Sequence, residues 1–117
     1  MILILHRGYK PRQSLNLIYM EMKIINVSTA VIKDEKLFKE YITKAAILMN
    51  DQGVEVICKA KYMEATRGSE MDSHIMAIFR YKDREAFNYF YNCKPYKELI
   101  PLRDESCDMR IQVYSEL

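Results

Sequence analysis

The sequence predicts one α+β domain whose elements run β-α-β-β-α-β, the ferredoxin-like arrangement. Three observations predict it. Segments rich in β-branched residues alternate with two segments whose apolar residues recur at three and four. An aspartate, Asp34 or Asp83, heads each helical segment, and a glycine-bearing polar stretch, Arg67 to Ser73, divides the two middle strands. The chain has 117 residues, half of them hydrophobic and 29% charged, which supplies one core and lies far from the composition of disorder.

The first strand is Lys23 to Ile32. Ile25, Val27, Thr29 and Val31 share one side of it, and Ile24, Asn26, Ser28, Ala30 and Ile32 share the other. Both sides are largely free of charge, so each face of the sheet needs a cover. Asp34 then caps a helix with Leu37, Phe38, Tyr41, Ile42, Ala45, Leu48 and Met49 on its apolar face. The opposite face offers the i, i+4 pairs Glu35 with Lys39 and Glu40 with Lys44, each worth about 0.2–0.5 kcal/mol. Gly53 suits the left-handed stop that follows.

Val54 to Thr66 alternates as a long second strand, with Val54, Val56, Cys58, Ala60 and Tyr62 on one side. His74 to Tyr81 is the most apolar strand and belongs at the centre of the sheet. Asp83 caps the second helix, with Ala86, Phe87, Phe90 and Tyr91 inward; Pro95 ends it, because Lys94 before a proline is biased away from helical dihedrals. A broken helical segment follows from Pro95 to about Ser106, since Pro95 and Pro101 each start or kink a turn. Met109 to Ser115 closes the sheet, with Met109, Ile111 and Val113 against Arg110, Gln112 and Tyr114.

Two helices on one face of a four-stranded sheet leave the other face bare and largely apolar. A homodimer packed sheet to sheet is the expected cover, since two-fold isologous contacts are the commonest assemblies. Residues 1–21 read as an N-terminal extension, non-native or weakly ordered, because Met20 and Met22 directly precede the first strand; Leu15 to Tyr19 packing as an edge strand is the alternative. The net charge of +2 comes from 18 basic and 16 acidic residues mixed along the chain, which gives no field for nucleic acid or anionic lipid. The apolar start is too short, and its basic residues misplaced, for a signal peptide, and no span suits a membrane helix. Cys58, Cys93 and Cys107 are widely spaced and read as reduced, buried thiols of a cytoplasmic protein.

Within this frame the run Asp34-Glu-Lys-Leu-Phe38 to Tyr41, then Tyr81 with Asp83-Arg-Glu-Ala-Phe87, then Phe90-Tyr91-Asn-Cys-Lys-Pro-Tyr96 with Leu102-Arg103, resembles the DUF1330 family of dimeric α+β barrel proteins. The likeness spans about residues 23 to 116, so the DUF1330-like domain is set at 22–117. It implies the barrel fold, formed by two chains, and no defined activity. Members of the family often carry arginine-glycine-glycine in the second strand, where this chain has Lys59-Ala60-Lys61, so no ligand contact is carried over to that strand.

Six residues are candidates for a pocket. Arg103 leads, because a guanidinium beside a buried tyrosine can clamp a carboxylate or enolate; a salt bridge to Asp104, Glu105 or Asp108 is the structural alternative. His74, at the start of the central strand, could act as a base near neutral pH. Tyr41 and Tyr96, with Tyr91, supply phenols that pack in the core or orient a substrate. Asn26 and Ser28 are polar groups facing inward on a central strand.

No nucleophile motif, phosphate loop, dinucleotide fingerprint or metal set stands in the sequence, and no cofactor is expected. Three readings remain open: a cofactor-free enzyme acting on a small carbonyl or aromatic acid, a non-catalytic dimeric module that binds a small molecule or serves a structural role, and an RNA-recognition domain on the same strand order. The third is disfavoured because residues 74–82 lack glycine, and Phe79 and Tyr81 share a side with Ile75 and Ala77, as a helix-packing face would.

Overall fold

A computed structural model describes residues 22–117; the extension 1–21, with its alternative strand Leu15 to Tyr19, lies outside the described residues. The elements are β1 (Ile24–Ile32), α1 (Glu35–Asp51), β2 (Glu55–Lys61), β3 (Ile75–Tyr81), α2 (Arg84–Asn92), α3 (Lys94–Lys97), α4 (Ile100–Ser106) and β4 (Cys107–Ser115). The strands form one antiparallel sheet in the order β2-β3-β1-β4, so β1 and β3 are central, as the α+β, ferredoxin-like class requires.

Local chemistry explains the boundaries. The Asp34 carboxylate accepts from the Leu37 N–H at 2.9 Å, and that of Asp83 from the Ala86 N–H at 2.8 Å, each satisfying a donor of its helix's first turn. Gly53 takes φ +72° just past α1, the conformation expected of it. Pro95 and Pro101 each sit in the first turn of a short helix, which splits the 94–106 stretch into α3 and α4. On the outer face of α1 the Glu40–Lys44 pair closes at 3.0 Å.

Two expectations change. β2 ends at Lys61 instead of Thr66, and a bulge between Val56 and Cys58 breaks its alternation, so these residues do not share a face. Val56 stands opposite Phe79, on the helix side, whereas Cys58 stands opposite Ile78, on the free side. The second correction is Cys58, which is exposed while Cys93 and Cys107 are buried. All of β2 is exposed, because it is an edge strand beyond the reach of the helices.

The two sheet faces differ. Ile24, Asn26, Ser28 and Ala30 of β1 are all buried beneath the helices, with Tyr81 beside Ile24 and Met109 beside Ala30. Phe38, Tyr41, Ala45 and Met49 of α1, Phe90 of α2, and Tyr96 and Leu99 of the α3 region complete this core. The other face presents Ile25, Val27, Thr29, Met76 and Ile78 half-buried, with Val31 exposed. Its β4 strip is polar, since Asp108, Arg110 and Gln112 pair with Val31, Thr29 and Val27. Arg80 rims this face, paired with Glu116 at 2.7 Å and Glu55 at 3.0 Å.

Phe90 is fully buried, and its ring lies 5.0 Å from Tyr91, 5.1 Å from Tyr96 and 5.8 Å from Tyr81. Phe90→Ala is expected to cost about 3–5 kcal/mol in denaturant unfolding, against about 1 kcal/mol for the lost cap of Asp83→Ala. A smaller loss for Phe90→Ala than for Asp83→Ala contradicts this assignment of the core.

Candidate functional site

The helix side of the sheet holds a band of polar groups inside an otherwise aromatic core. One half of it is built by the helices. Tyr41 is placed by the α1 stripe it shares with Phe38 and Ala45. Tyr96 is placed by the turn that Pro95 starts, and Arg103 follows it by seven residues in α4. The three meet: Arg103 Nη1 donates to the Tyr96 hydroxyl at 3.1 Å, and the Tyr96 and Tyr41 hydroxyls lie 2.9 Å apart. Because the Tyr96 oxygen accepts from arginine, its own hydrogen is available to Tyr41. The Tyr41 hydroxyl in turn reaches the Met109 sulfur at 4.0 Å, a weak acceptor.

The other half starts on β1. Ser28 Oγ donates to Asn26 Oδ1 at 3.0 Å, and Asn26 Nδ2 donates to the hydroxyl of Tyr91 in α2. Asn26 is fully buried, so this pairing is what makes an amide tolerable on a central strand. The Tyr91 ring meets Tyr96 edge-on at 4.9 Å and 78°, joining the two halves. Tyr81, only 1% exposed at the end of β3, adds a fourth phenol, whose buried hydroxyl lies beside the Tyr91 hydroxyl and the Asn26 amide.

Burial first, and then neighbouring phenols, push Tyr41 and Tyr81 far above the usual tyrosine range. Tyr91 is pushed up to about 12 by burial and by Tyr96, with Tyr81, Asn26 and Ser28 restraining the rise through hydrogen bonding to its oxygen. All three phenols are neutral donors at physiological pH. Arg103 holds its charge: burial pulls its pKa down, but Asp104, at 2.9 Å from Nε, and Tyr96 outweigh that pull. The salt bridge to Asp104 and the contact with a buried tyrosine therefore coexist at Arg103. The cluster offers phenolic O–H groups and one guanidinium, a set that stabilises negative charge on oxygen.

Of the sequence-derived candidates, Arg103, Tyr96 and Tyr41 come together directly, and Asn26 and Ser28 join them through Tyr91. His74 stands apart. It precedes β3, its Nδ1 lies 2.7 Å from the Asp72 carbonyl oxygen, and its ring stacks on Tyr62 at 4.9 Å, so its recorded contacts brace the β2–β3 connection. Tyr81 was not among the candidates. The signal for it was its place on the same side of β3 as Ile75, Ala77 and Phe79, which puts a hydroxyl at a core position. Among the described residues no group of histidine, cysteine and carboxylate side chains could hold a metal ion. Two surface hollows, of about 280 Å³ along Lys36, Lys39 and Lys44 and about 390 Å³ beside Lys23 and Arg80, are not lined by these tyrosines.

A family model described as a domain of unknown function, DUF1330, matches residues 24–117. No curated protein matches the chain. Among solved structures, a protein of unknown function from Rhodopseudomonas palustris aligns with a TM-score of 0.73 at 14% identity, covering 92% of this chain and 95% of its own. A DABB family protein with a ferredoxin-like fold from Mesorhizobium loti aligns at 0.64 and 13%, over 82% of this chain and 98% of its own. SnoaB, a cofactor-independent oxygenase from Streptomyces nogalater, aligns at 0.62 and 10%, over 82% of this chain and 94% of its own. Identities this low establish a shared fold.

Raised phenol pKa values set an alkaline limit. Unfolded tyrosines lose their protons near pH 10, while Tyr41, Tyr81 and Tyr91 keep theirs in the folded chain, so above about pH 10 the unfolded state binds fewer protons and stability falls. The expected slope is up to about 1.4 kcal/mol per pH unit for each phenol. Unfolding midpoints measured at pH 9, 10 and 11 should fall less steeply for Tyr41→Phe than for the wild type. Equal slopes would remove the buried phenols as the cause.

Proposed function

The chain belongs to the DUF1330 family, and we propose that it is a cofactor-free enzyme acting on a small carbonyl or aromatic acid bound at the tyrosine–arginine cluster. The observation that carries this reading is the convergence of Arg103 with buried phenols between sheet and helices. The likeness in fold to a cofactor-independent oxygenase supports it. Among the described residues no histidine or carboxylate is hydrogen-bonded to these phenols, and Asp104 is 61% exposed and held by Arg103. The cluster therefore suits a substrate acidic enough to release its own proton to water, with Arg103 and the phenols stabilising the enolate or phenolate left behind. With dioxygen as co-reactant, such an enolate carbon forms a C–O bond. Cleavage of the O–O bond and loss of the second hydrogen from that carbon leave a carbonyl and one water, every electron coming from the substrate.

A second reading, a non-catalytic dimer that binds a small molecule, is favoured by the way Tyr41, Tyr96 and Arg103, and likewise Ser28, Asn26 and Tyr91, satisfy one another. In both readings two chains pack through the helix-free face, where Ile25, Val27, Met76 and Ile78 form an apolar stripe that a two-fold partner would cover. The chain works in the cytosol, where Cys58, Cys93 and Cys107 stay reduced.

Two measurements test the proposal. Enolisable carbonyl acids and hydroxyaromatic acids are screened by thermal shift on wild type and Arg103→Ala, with oxygen uptake followed for each hit. The expected result is a compound that stabilises the wild type and loses at least tenfold in affinity, about 1.4 kcal/mol, in the variant. Compounds that stabilise both equally remove Arg103 from the site; binding without oxygen uptake or turnover selects the second reading. Light scattering is expected to give the mass of two chains for the wild type and of one for Ile78→Asp. A wild-type monomer at micromolar concentration removes the dimer.

A further inference from the structure

The β2–β3 connection is longer than a hairpin needs. β2 ends at Lys61 and β3 starts at Ile75, so 13 residues join two neighbouring antiparallel strands. Hairpin loops usually have about two to five, and connections this long generally serve a purpose of their own. Its shape is set by its own side chains. The Glu70 carboxylate accepts from the Tyr62 hydroxyl at 3.1 Å and from the Ala65 N–H at 2.5 Å, and the Tyr62 oxygen accepts from the Met71 N–H at 3.2 Å. Gly68 turns the tip at φ +97°. These bonds close residues 62–71 into an arm past the last sheet pairing, with Met63 87% and Met71 60% exposed.

The arm continues the helix-free face of the sheet. Cys58 opposite Ile78 and Ala60 opposite Met76 lie on that face, and Tyr62 opposite His74 is the next pair in the row. The Tyr62 N–H donates to the His74 carbonyl oxygen at 2.9 Å, and the two rings stack at 4.9 Å. Met71 is tied to the same pair through the Tyr62 hydroxyl. That face needs the added surface. A stable two-fold contact buries about 800 Å² per chain, somewhat more than half of it apolar. Ile25, Val27, Met76 and Ile78 are already half-buried, and the β4 strip beside them is polar, so the sheet alone falls short. Exposed methionines are flexible and polarizable, suited to packing on a second protein, and hydrogen bonds hold this arm in shape before contact. In a two-fold contact each chain contributes an arm, so one patch adds twice to the interface, which favours a second copy over an unrelated partner.

Resting on the dimer of the reading above, we infer that residues 62–74 form an arm that grips a second copy of this chain. Met63 and Met71 are its apolar anchors, and the stacked Tyr62–His74 pair lies in the interface as the last row of the sheet face. His74 is thereby placed in assembly instead of in acid–base chemistry.

Sedimentation over a dilution series, on wild type, Ile78→Asp and the double variant Met63→Ser with Met71→Ser, tests the arm. Both methionines are exposed in the single chain, so the double variant should keep the wild-type circular dichroism while its dimer dissociation constant rises at least tenfold. The chain has no tryptophan, so Met63→Trp supplies a single reporter. Its emission should be blue-shifted in the dimer and move to the hydrated value when Ile78→Asp is added, whereas Tyr89→Trp, on the exposed side of α2, should emit alike in both states. A wild-type dimer whose dissociation constant changes less than tenfold in the double variant, or a Met63→Trp emission that Ile78→Asp leaves unchanged, overturns the arm alone. A wild type that sediments as one chain, or Ile78→Asp that still sediments as two, overturns both the arm and the sheet-to-sheet dimer it rests on.

Discussion

The candidate site turns on a buried amide in a central strand. Asn26 sits on β1 with no solvent exposure, flanked by β3 and β4, where an unpaired amide would cost about 1–3 kcal/mol. Its two ends are met by Ser28, two residues along the same strand, and by Tyr91, brought down by α2. The same helix carries Phe90 into the core, and the turn at Pro95 follows it. Tyr96 and Arg103 follow from that turn. Two hydrogen-bonded groups, one on the sheet and one ending at the guanidinium, thus meet through the edge-on contact of Tyr91 with Tyr96.

Much of this architecture was legible in the residues. The period-two run of β1 and the stripes of α1 and α2 announced their elements, because burial of one face imposes a period that few residues disturb. Asp34, Gly53, Asp83, Pro95 and Pro101 marked the boundaries through capping and backbone restriction. What sequence could not give was the bulge at Ile57, since insertion of one residue into an edge strand leaves no compositional trace. The early end of β2 has the same origin: beyond Lys61 the alternation continues in the letters, but only Tyr62 still bonds to the partner strand, at 2.9 Å to the His74 carbonyl.

The site was legible in part. Polar residues on an inward-facing strand position, as at Asn26 and Ser28, are conspicuous in one dimension, and so is an arginine following a proline-tyrosine pair. The grouping of Tyr41 with Tyr96 across 55 residues depends on how two helices cross the sheet, which periodicity does not encode. His74 shows the converse. Its residue type suggested acid–base chemistry, yet tertiary placement gives it Tyr62 and Asp72 as partners instead. Tyr81 looked like packing because three apolar residues share its side of β3; only the folded chain brings its hydroxyl beside Asn26 and Tyr91.

If the polar band exists for recognition and not for folding, the fold should survive without it. The direct measurement is a combined variant, Asn26→Leu, Ser28→Ala and Tyr91→Phe, in which both sides of each buried hydrogen bond become apolar. Its unfolding free energy is expected to equal or exceed that of the wild type, while its affinity for any acid that binds the wild type falls at least tenfold. A variant that binds as the wild type does, or that cannot fold, would show the band to be architecture.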